Sequence, residues 1–316
     1  MPTIRTSSAP STRSRRAGGI ALALACALAA SSLTGCVAPE PVTIGHGDLD
    51  EVRREAVAAY REGGERWAAI VERTRTDPRL AIFLVDNAAA ALVRHFVSGQ
   101  MSRRGAVESP YERARRSLSE LGAPAAELLE EMVIGGDEVV AGAGVDALAV
   151  MDGHVLDAIV RILADGRVEV RRRGAALAAL AVPLDEAAER RLVDVLAPIV
   201  NGDPSWVVRA EAVRAAGARA ARSADMRALH TGLLATGLED ADATVVGIAA
   251  DGLGTCRAVN AVPALIGALG RVEDEVVAHD RVQRALKLLV RESEPHTPAQ
   301  WWQLWLERRA ELLRAT

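Results

Sequence analysis

The chain has 316 residues, half of them apolar but only 3% aromatic, with a formal charge of −4. Residues 1–35 carry four of the 38 basic residues and none of the 42 acidic ones, so the remainder sets 34 basic against 42 acidic side chains, a formal −8. An acidic body without a long basic run argues against nucleic-acid binding and gains little from anionic lipid.

The polar, Arg-bearing start (Arg5, Arg13, Arg15, Arg16) gives way to a stretch without charge over residues 17–39, strongly apolar over 20–30. A basic start, a short apolar run and small residues before a cut site describe a signal peptide over residues 1–35. The apolar run is shorter than the roughly 20 residues that span a bilayer comfortably. Leu33-Thr34-Gly35-Cys36 follows it. This resembles the bacterial lipobox. The resemblance implies that the Cys36 sulfur receives a diacylglycerol, that a peptidase cuts before Cys36, and that the new amine is acylated. Ser14-Arg15-Arg16 is similar to a twin-arginine export signal, but Gly18 and Gly19 stand where apolar residues belong, so the general export route is expected. Val37 rather than Asp after the lipidated Cys favours the outer membrane in a cell with two. Residues 36–47, with two Pro and two Gly, read as a flexible tether. Its reach is at most ~35 Å at ~3.3 Å per residue, which keeps the body near the membrane.

Residues 48–110 form an N-terminal helical segment. Helical spacing predicts helices over 48–62, 65–74 and 79–97, with Asp48 as N-cap of the first and Leu49, Val52, Ala56 and Tyr60 keeping helical spacing along it. Residues 98–110 are a Gly/Ser/Arg-rich break.

Residues 111–293 repeat. At a shift of 38, Asp165, Val170, Arg171, Gly174 and Leu177 fall on Asp203, Val208, Arg209, Ala212 and Ala215. A second shift brings the last four to Val246, Gly247, Ala250 and Leu253, with Asp240 and Asp242 flanking the Asp position. Ala158 and Ile162 map to Leu196 and Val200, then to Leu234 and Leu238. The period covers two helices, the first with small residues at its centre and the second closing on aliphatics. Val170, Val208 and Val246 should face the core, and the small residue at 174, 212 and 250 should let the two helices of a hairpin touch. Asp203 before Pro204 reads as an N-cap with Pro in the first turn. One hairpin cannot bury its apolar face alone, so the units should stack.

These residues resemble HEAT repeats of the short Asp–Val-Arg–Ala–Ala–Gly kind, matched in the central unit by Asp203, Val208, Arg209, Ala212, Ala215 and Gly217. The resemblance covers about residues 111–292, and Gly247 and Ala141 depart from it. It implies an all-α fold, a HEAT-like α-solenoid of stacked helical hairpins. It also implies that the Arg of one unit reaches the Asp of its neighbour, which gives Arg171 and Arg209 a structural role. Members are interaction scaffolds more often than enzymes; a few of this kind act on bilin chromophores, and export to an envelope argues against that here.

No catalytic set stands out. His46, His95, His154, His230, His279 and His296 are scattered, none at i+3 or i+4 from another His or a Cys, so no metal motif exists and surface or half-buried positions are expected. Nucleophile-elbow, zincin and phosphate-loop motifs are missing, and Gly142 and Gly144 fall in a helix start without a preceding strand. With Cys26 in the leader and Cys36 lipidated, Cys256 is left alone and reads as a small buried residue.

Residues 294–316 are Trp-rich. Thr297-Pro298 opens a helix as cap and first turn, and three of the five Trp lie within residues 301–305. A stripe at i, i+4 and i+11 should close the end of the stack. The rival reading is an exposed aromatic platform for glycan or a partner. Adjacent Trp301 and Trp302 cannot face one way, so one of them stays outside.

The expectation is a non-enzymatic scaffold without cofactor or metal, held on the extracytoplasmic side of a membrane by lipidated Cys36. It would bind an envelope protein along a groove lined by the second helices, with Asp157, Arg161, Arg190, Asp194, Arg227 and His230 as groove residues. The alternative is an envelope enzyme or ligand- or glycan-binding protein with a site assembled across repeats, which requires a deep pocket lined by polar groups of perturbed pKa.

Overall fold

The structure is a computed structural model of the chain and describes residues 47–98 and 108–314. The fold is all-α: fifteen α-helices and one 3₁₀ turn, with no strand among the described residues. The described residues divide into two compact units, with the division after residue 143.

In the first unit lie α1 (Gly47–Glu62), α2 (Gly64–Thr74), α3 (Pro78–Val97), α4 (Pro110–Leu121) and α5 (Ala123–Gly135). The bounds of α1–α3 match the expected helices within a residue, except that α1 begins at Gly47, so Asp48 sits in its first turn rather than at the cap. Gly63 and Gly64, both with φ near +70°, make the tight reversal between α1 and α2, a conformation that costs a Cβ-bearing residue steric energy. Asp77 caps α3 by accepting from the Arg79 and Leu80 N–H groups, and Pro78 stands where no donor is needed. Ser109 and Glu112 form a reciprocal capping box at the start of α4. By length and composition α3 could cross a membrane. Its stripe Leu80, Leu84, Ala88 and Leu92 is buried against its neighbours, so here it is the core helix of the unit.

A further helix, α6 (Glu138–Leu148), spans the boundary between the units. The second unit continues with α7 (Val155–Leu163), α8 (Val168–Leu180), α9 (Glu186–Gly202), α10 (Trp206–Ala220), α11 (Ala224–Leu238) and α12 (Ala243–Thr255). After the 3₁₀ turn Val259–Ala261 come α13 (Val262–Arg271), α14 (Val276–Val290) and α15 (Pro298–Arg314). The first helices α8, α10, α12 and α14 pack one on the next; α7, α9, α11 and α13 form the second row. This is an all-α solenoid of stacked helical hairpins.

The repeated residues explain the stacking. Val170, Val208 and Val246 are buried in the core row. A Cβ built on Gly174 would lie 2.9 Å from Ile162 Cγ2 and 3.2 Å from Leu163, so the small residue admits α7 against α8. The backbones of α10 and α12 approach closely where Gly217 faces Gly252: a Cβ on either would lie within 3.3 Å of the other's Cα.

A second cap also differs from expectation. Helix α10 starts at Trp206 with Ser205 in the cap position, and Asp203 ends the preceding helix α9. Asp203 does hold the turn, accepting from the Ser205 N–H at 2.9 Å. It caps no further because its carboxylate is committed to an arginine of the neighbouring repeat.

Candidate functional site

At two successive steps a forked ion pair locks one repeat to the next. Arg171 donates through Nε and Nη2 to the two oxygens of Asp203, at 2.6 and 3.1 Å, and Arg209 does the same to Asp240, at 2.7 and 2.8 Å. Arg171 Nη1 also reaches the Asp165 carbonyl and Arg209 Nη1 the Asp203 carbonyl. The planar guanidinium matches the carboxylate, so the pair fixes geometry as well as charge. Burial alone would raise the Asp203 and Asp240 carboxyls; the arginine hydrogen bonds and the turn N–H groups outweigh it and hold both below the ordinary range. Of the two candidates at the third step, Asp240 takes the arginine and Asp242 caps α12 through the Thr244 N–H. The ladder ends there. Gly247 stands where the next arginine would, and Arg281 lies over it, 2.9 Å from where a Cβ would be, pairing with Asp251.

A second, buried cluster joins side chains from three helices, and no motif in the sequence announces its pairing. Glu189 of α9, Arg219 of α10 and His230 of α11 are 1%, 0% and 0% exposed. The Glu189 carboxylate accepts from both Nε and Nη2 of Arg219, the Nε arm at 2.8 Å, and lies 3.0 Å from His230 Nε2. Arg219 also donates to the carbonyls of Ala178 and Ala181, and Arg222 to those of Ala179 and Ala181. Two cations thus serve the carbonyls left open at the C-terminal end of α8, where the helix dipole favours positive charge. Burial, with Arg222 nearby, pulls Arg219 down to about 10, still protonated at neutral pH. Burial, then the charges of Arg219 and Arg222, pulls His230 down to about 4. A neutral His230 must carry its proton on Nε2 to meet the carboxylate, which leaves Nδ1 without a hydrogen-bond partner among the described residues.

The expected groove residues divide accordingly. Asp157 and Arg161 on α7 and Arg190 and Asp194 on α9 are exposed on the second row, and Arg191 bridges the two helices by pairing with Asp157 at 3.0 Å. Arg190 pairs within its own helix with Glu186. Arg227 is half-buried. His230 corrects two expectations: it is neither a surface histidine nor a groove residue, because it turns inward to Glu189. His95, His154, His279 and His296 are half-buried, as expected, and His46 lies outside the described residues. So do Cys36, the rest of the lipobox and the leader.

The C-terminal helix carries the stripe read from sequence. Trp301, Trp305 and Leu312 are buried and Trp302 is 41% exposed. Trp301 Nε1 donates to Gln283 Oε1 at 2.9 Å, and Gln283 Nε2 donates to the His296 carbonyl at 2.7 Å, so α15 is hydrogen-bonded onto α14. Thr297 and Gln300 cap the helix as a reciprocal pair. A cleft of about 320 Å³ opens beside this cap, lined by Glu273, His279, Gln283, His296, Thr297 and Gln300 among others. It touches none of the Glu189–Arg219–His230 cluster. No group of three or more potential metal ligands occurs among the described residues. Cys256 is buried with its thiol pushed up by that burial, fitting the packing role expected of it.

Polar side chains recur on the second row, while the most polar constellation across repeats is closed to solvent. No family model matches the chain, and no curated protein matches it. Among solved structures it is similar to a crystal structure described as that of an engineered protein, at 16% identity over 84% of this chain and 78% of that one, with a TM-score of 0.39.

Proposed function

We propose that the chain is an exported lipoprotein, acylated on Cys36, whose repeats hold a protein partner along the second-helix row. The observation that carries this reading is the recurrence of outward polar side chains from helix to helix, Asp157 and Arg161 on α7 and then Arg190 and Asp194 on α9. Stacked hairpins offer such a surface at low cost, because the ladder and the buried cluster satisfy the interior charges without drawing on that row. A scaffold rather than an enzyme is favoured because the cluster assembled across repeats admits no substrate. The lipobox Leu33-Thr34-Gly35-Cys36 supports anchoring on the extracytoplasmic side, and Val37 favours the outer of two membranes.

Crosslinking in intact cells tests this reading, comparing the parent chain with an Arg161→Glu/Arg190→Glu variant. A specific crosslinked envelope protein, recovered with the parent and lost with the variant, supports it. Equal recovery with both removes the second row from the binding surface.

A further inference from the structure

Helix α15 carries a second stripe beside the packed one, with its apolar members exposed to solvent. Trp301, Trp305, Arg308 and Leu312 occupy i, i+4, i+7 and i+11 and turn inward, with Arg308 donating to the Val290 carbonyl and pairing with Glu292. One residue on, at the same spacing, stand Trp302, Leu306, Arg309 and Leu313. The three apolar members are 41%, 57% and 42% exposed. One residue is about 100° of helix turn, so this stripe borders the packed face and widens it beyond what a cap needs.

We propose that this outer stripe rests on the surface of the lipid bilayer, giving an already anchored protein a second, weak membrane contact. Its composition is interfacial: a Trp whose ring pairs an apolar body with a polar N–H, two Leu, and Arg309 within the stripe, whose long stem lets the guanidinium reach a headgroup phosphate. No acidic residue interrupts it; Glu307 and Glu311 lie on other faces of the turn. The exposed apolar area is on the order of 250 Å², far below the ~800 Å² per partner of a stable protein interface, which disfavours a second copy or a permanent protein partner as its occupant. So small a contact suffices when acylation holds the protein at the bilayer, because the local concentration of surface is then high. The contact is apolar first, so the acidic balance of the body does not oppose it at close range. This inference rests on the acylation of Cys36 proposed above.

Tryptophan quenching by bromine-labelled acyl chains tests it, using the mature lipoprotein reconstituted into phosphatidylethanolamine–phosphatidylglycerol vesicles. Emission should be quenched in the parent and the quenching lost in Trp302→Phe. It should persist in Trp206→Phe, which removes the other half-exposed Trp, 45% exposed. Leu306→Ser/Leu313→Ser, with all five Trp in place, should also lose quenching while its thermal unfolding stays that of the parent. Absent quenching in the parent, or equal quenching in Trp302→Phe, overturns the proposal. A concentration-dependent dimer in detergent that Leu306→Ser/Leu313→Ser abolishes, without quenching in vesicles, overturns it in favour of a second copy. Intact mass on the same preparation reads the acylation separately. If Cys36 is unmodified, the anchoring reading falls and the contact that rests on it falls with it; an acylated Cys36 without quenching overturns the contact alone.

Discussion

His230 Nε2 lies 3.0 Å from Glu189 Oε2 with neither side chain open to water, so the imidazole can gain a proton only inside the core. Its pKa falls from the usual 6.5 to about 4 through burial and the charges of Arg219 and Arg222. Between those values the unfolded chain binds a proton that the folded chain refuses. The stability that a neutral His230 provides is therefore complete above about pH 6.5 and lost as pH falls toward 4, by up to about 3 kcal/mol. Urea unfolding between pH 7 and pH 4.5 should show this slope, and His230→Gln should flatten it. An unchanged slope in the variant assigns the acid sensitivity to other groups.

The Arg209–Asp240 fork should show strong pairwise coupling. Arg209→Lys keeps the charge but loses the planar fork, and should cost about 1–2 kcal/mol. In a double-mutant cycle Arg209→Met and Asp240→Asn should couple by about 1–3 kcal/mol, because both groups are largely buried and each single change strands its partner. Coupling near zero would reduce the ladder to a surface feature.

Gly217 and Gly252 permit backbone contact between α10 and α12, and neither helix can yield a side chain to relieve a new one. Gly217→Val should destabilise the chain by about 1–3 kcal/mol through overpacking. Gly232 has nothing within 4 Å of a built Cβ, and Gly232→Ala should be neutral to slightly stabilising. The two unfolding midpoints should move in opposite directions or differ clearly.

Adjacent tryptophans should behave differently. Trp301 is fully buried and hydrogen-bonded to Gln283, so Trp301→Ala should cost about 3–5 kcal/mol. Trp302→Ala should stay within about 0.5 kcal/mol, as exposed positions do. Similar losses at both would mean that the C-terminal helix packs through a different face.

Cys36→Ser should abolish acylation and cleavage, since only a thiol forms the thioether. The variant should retain residues 1–35 and lose the acyl label, as read by intact mass. Because the apolar leader could still hold it on a membrane, fractionation alone does not decide. The folded body should be unaffected, since its described helices start at Gly47.

Local signals placed most of the fold. The helix bounds of α1–α3, the Thr297–Gln300 cap and the alternation of first and second helices follow from spacing and from capping chemistry, which act over a few residues. The 38-residue period fixed which valines point inward, because each repeat meets the same neighbour in the same way. The inward stripe of α15 was legible for the same reason: only one face of a helix can close a stack. Tertiary structure alone decided the buried cluster. Glu189, Arg219 and His230 are 30 and 41 residues apart and sit on three different helices. Each occupies a core-stripe position in its own helix: Glu189 with Leu192, Leu196 and Val200, Arg219 with Val208, Ala212 and Ala215, and His230 with Leu234 and Leu238. A charged residue on an apolar stripe was the available signal. Sequence cannot convert that signal into a pairing, because the energy of a buried charge depends on which opposite charge another helix brings beside it. The same dependence decided that His230 faces the core instead of the groove.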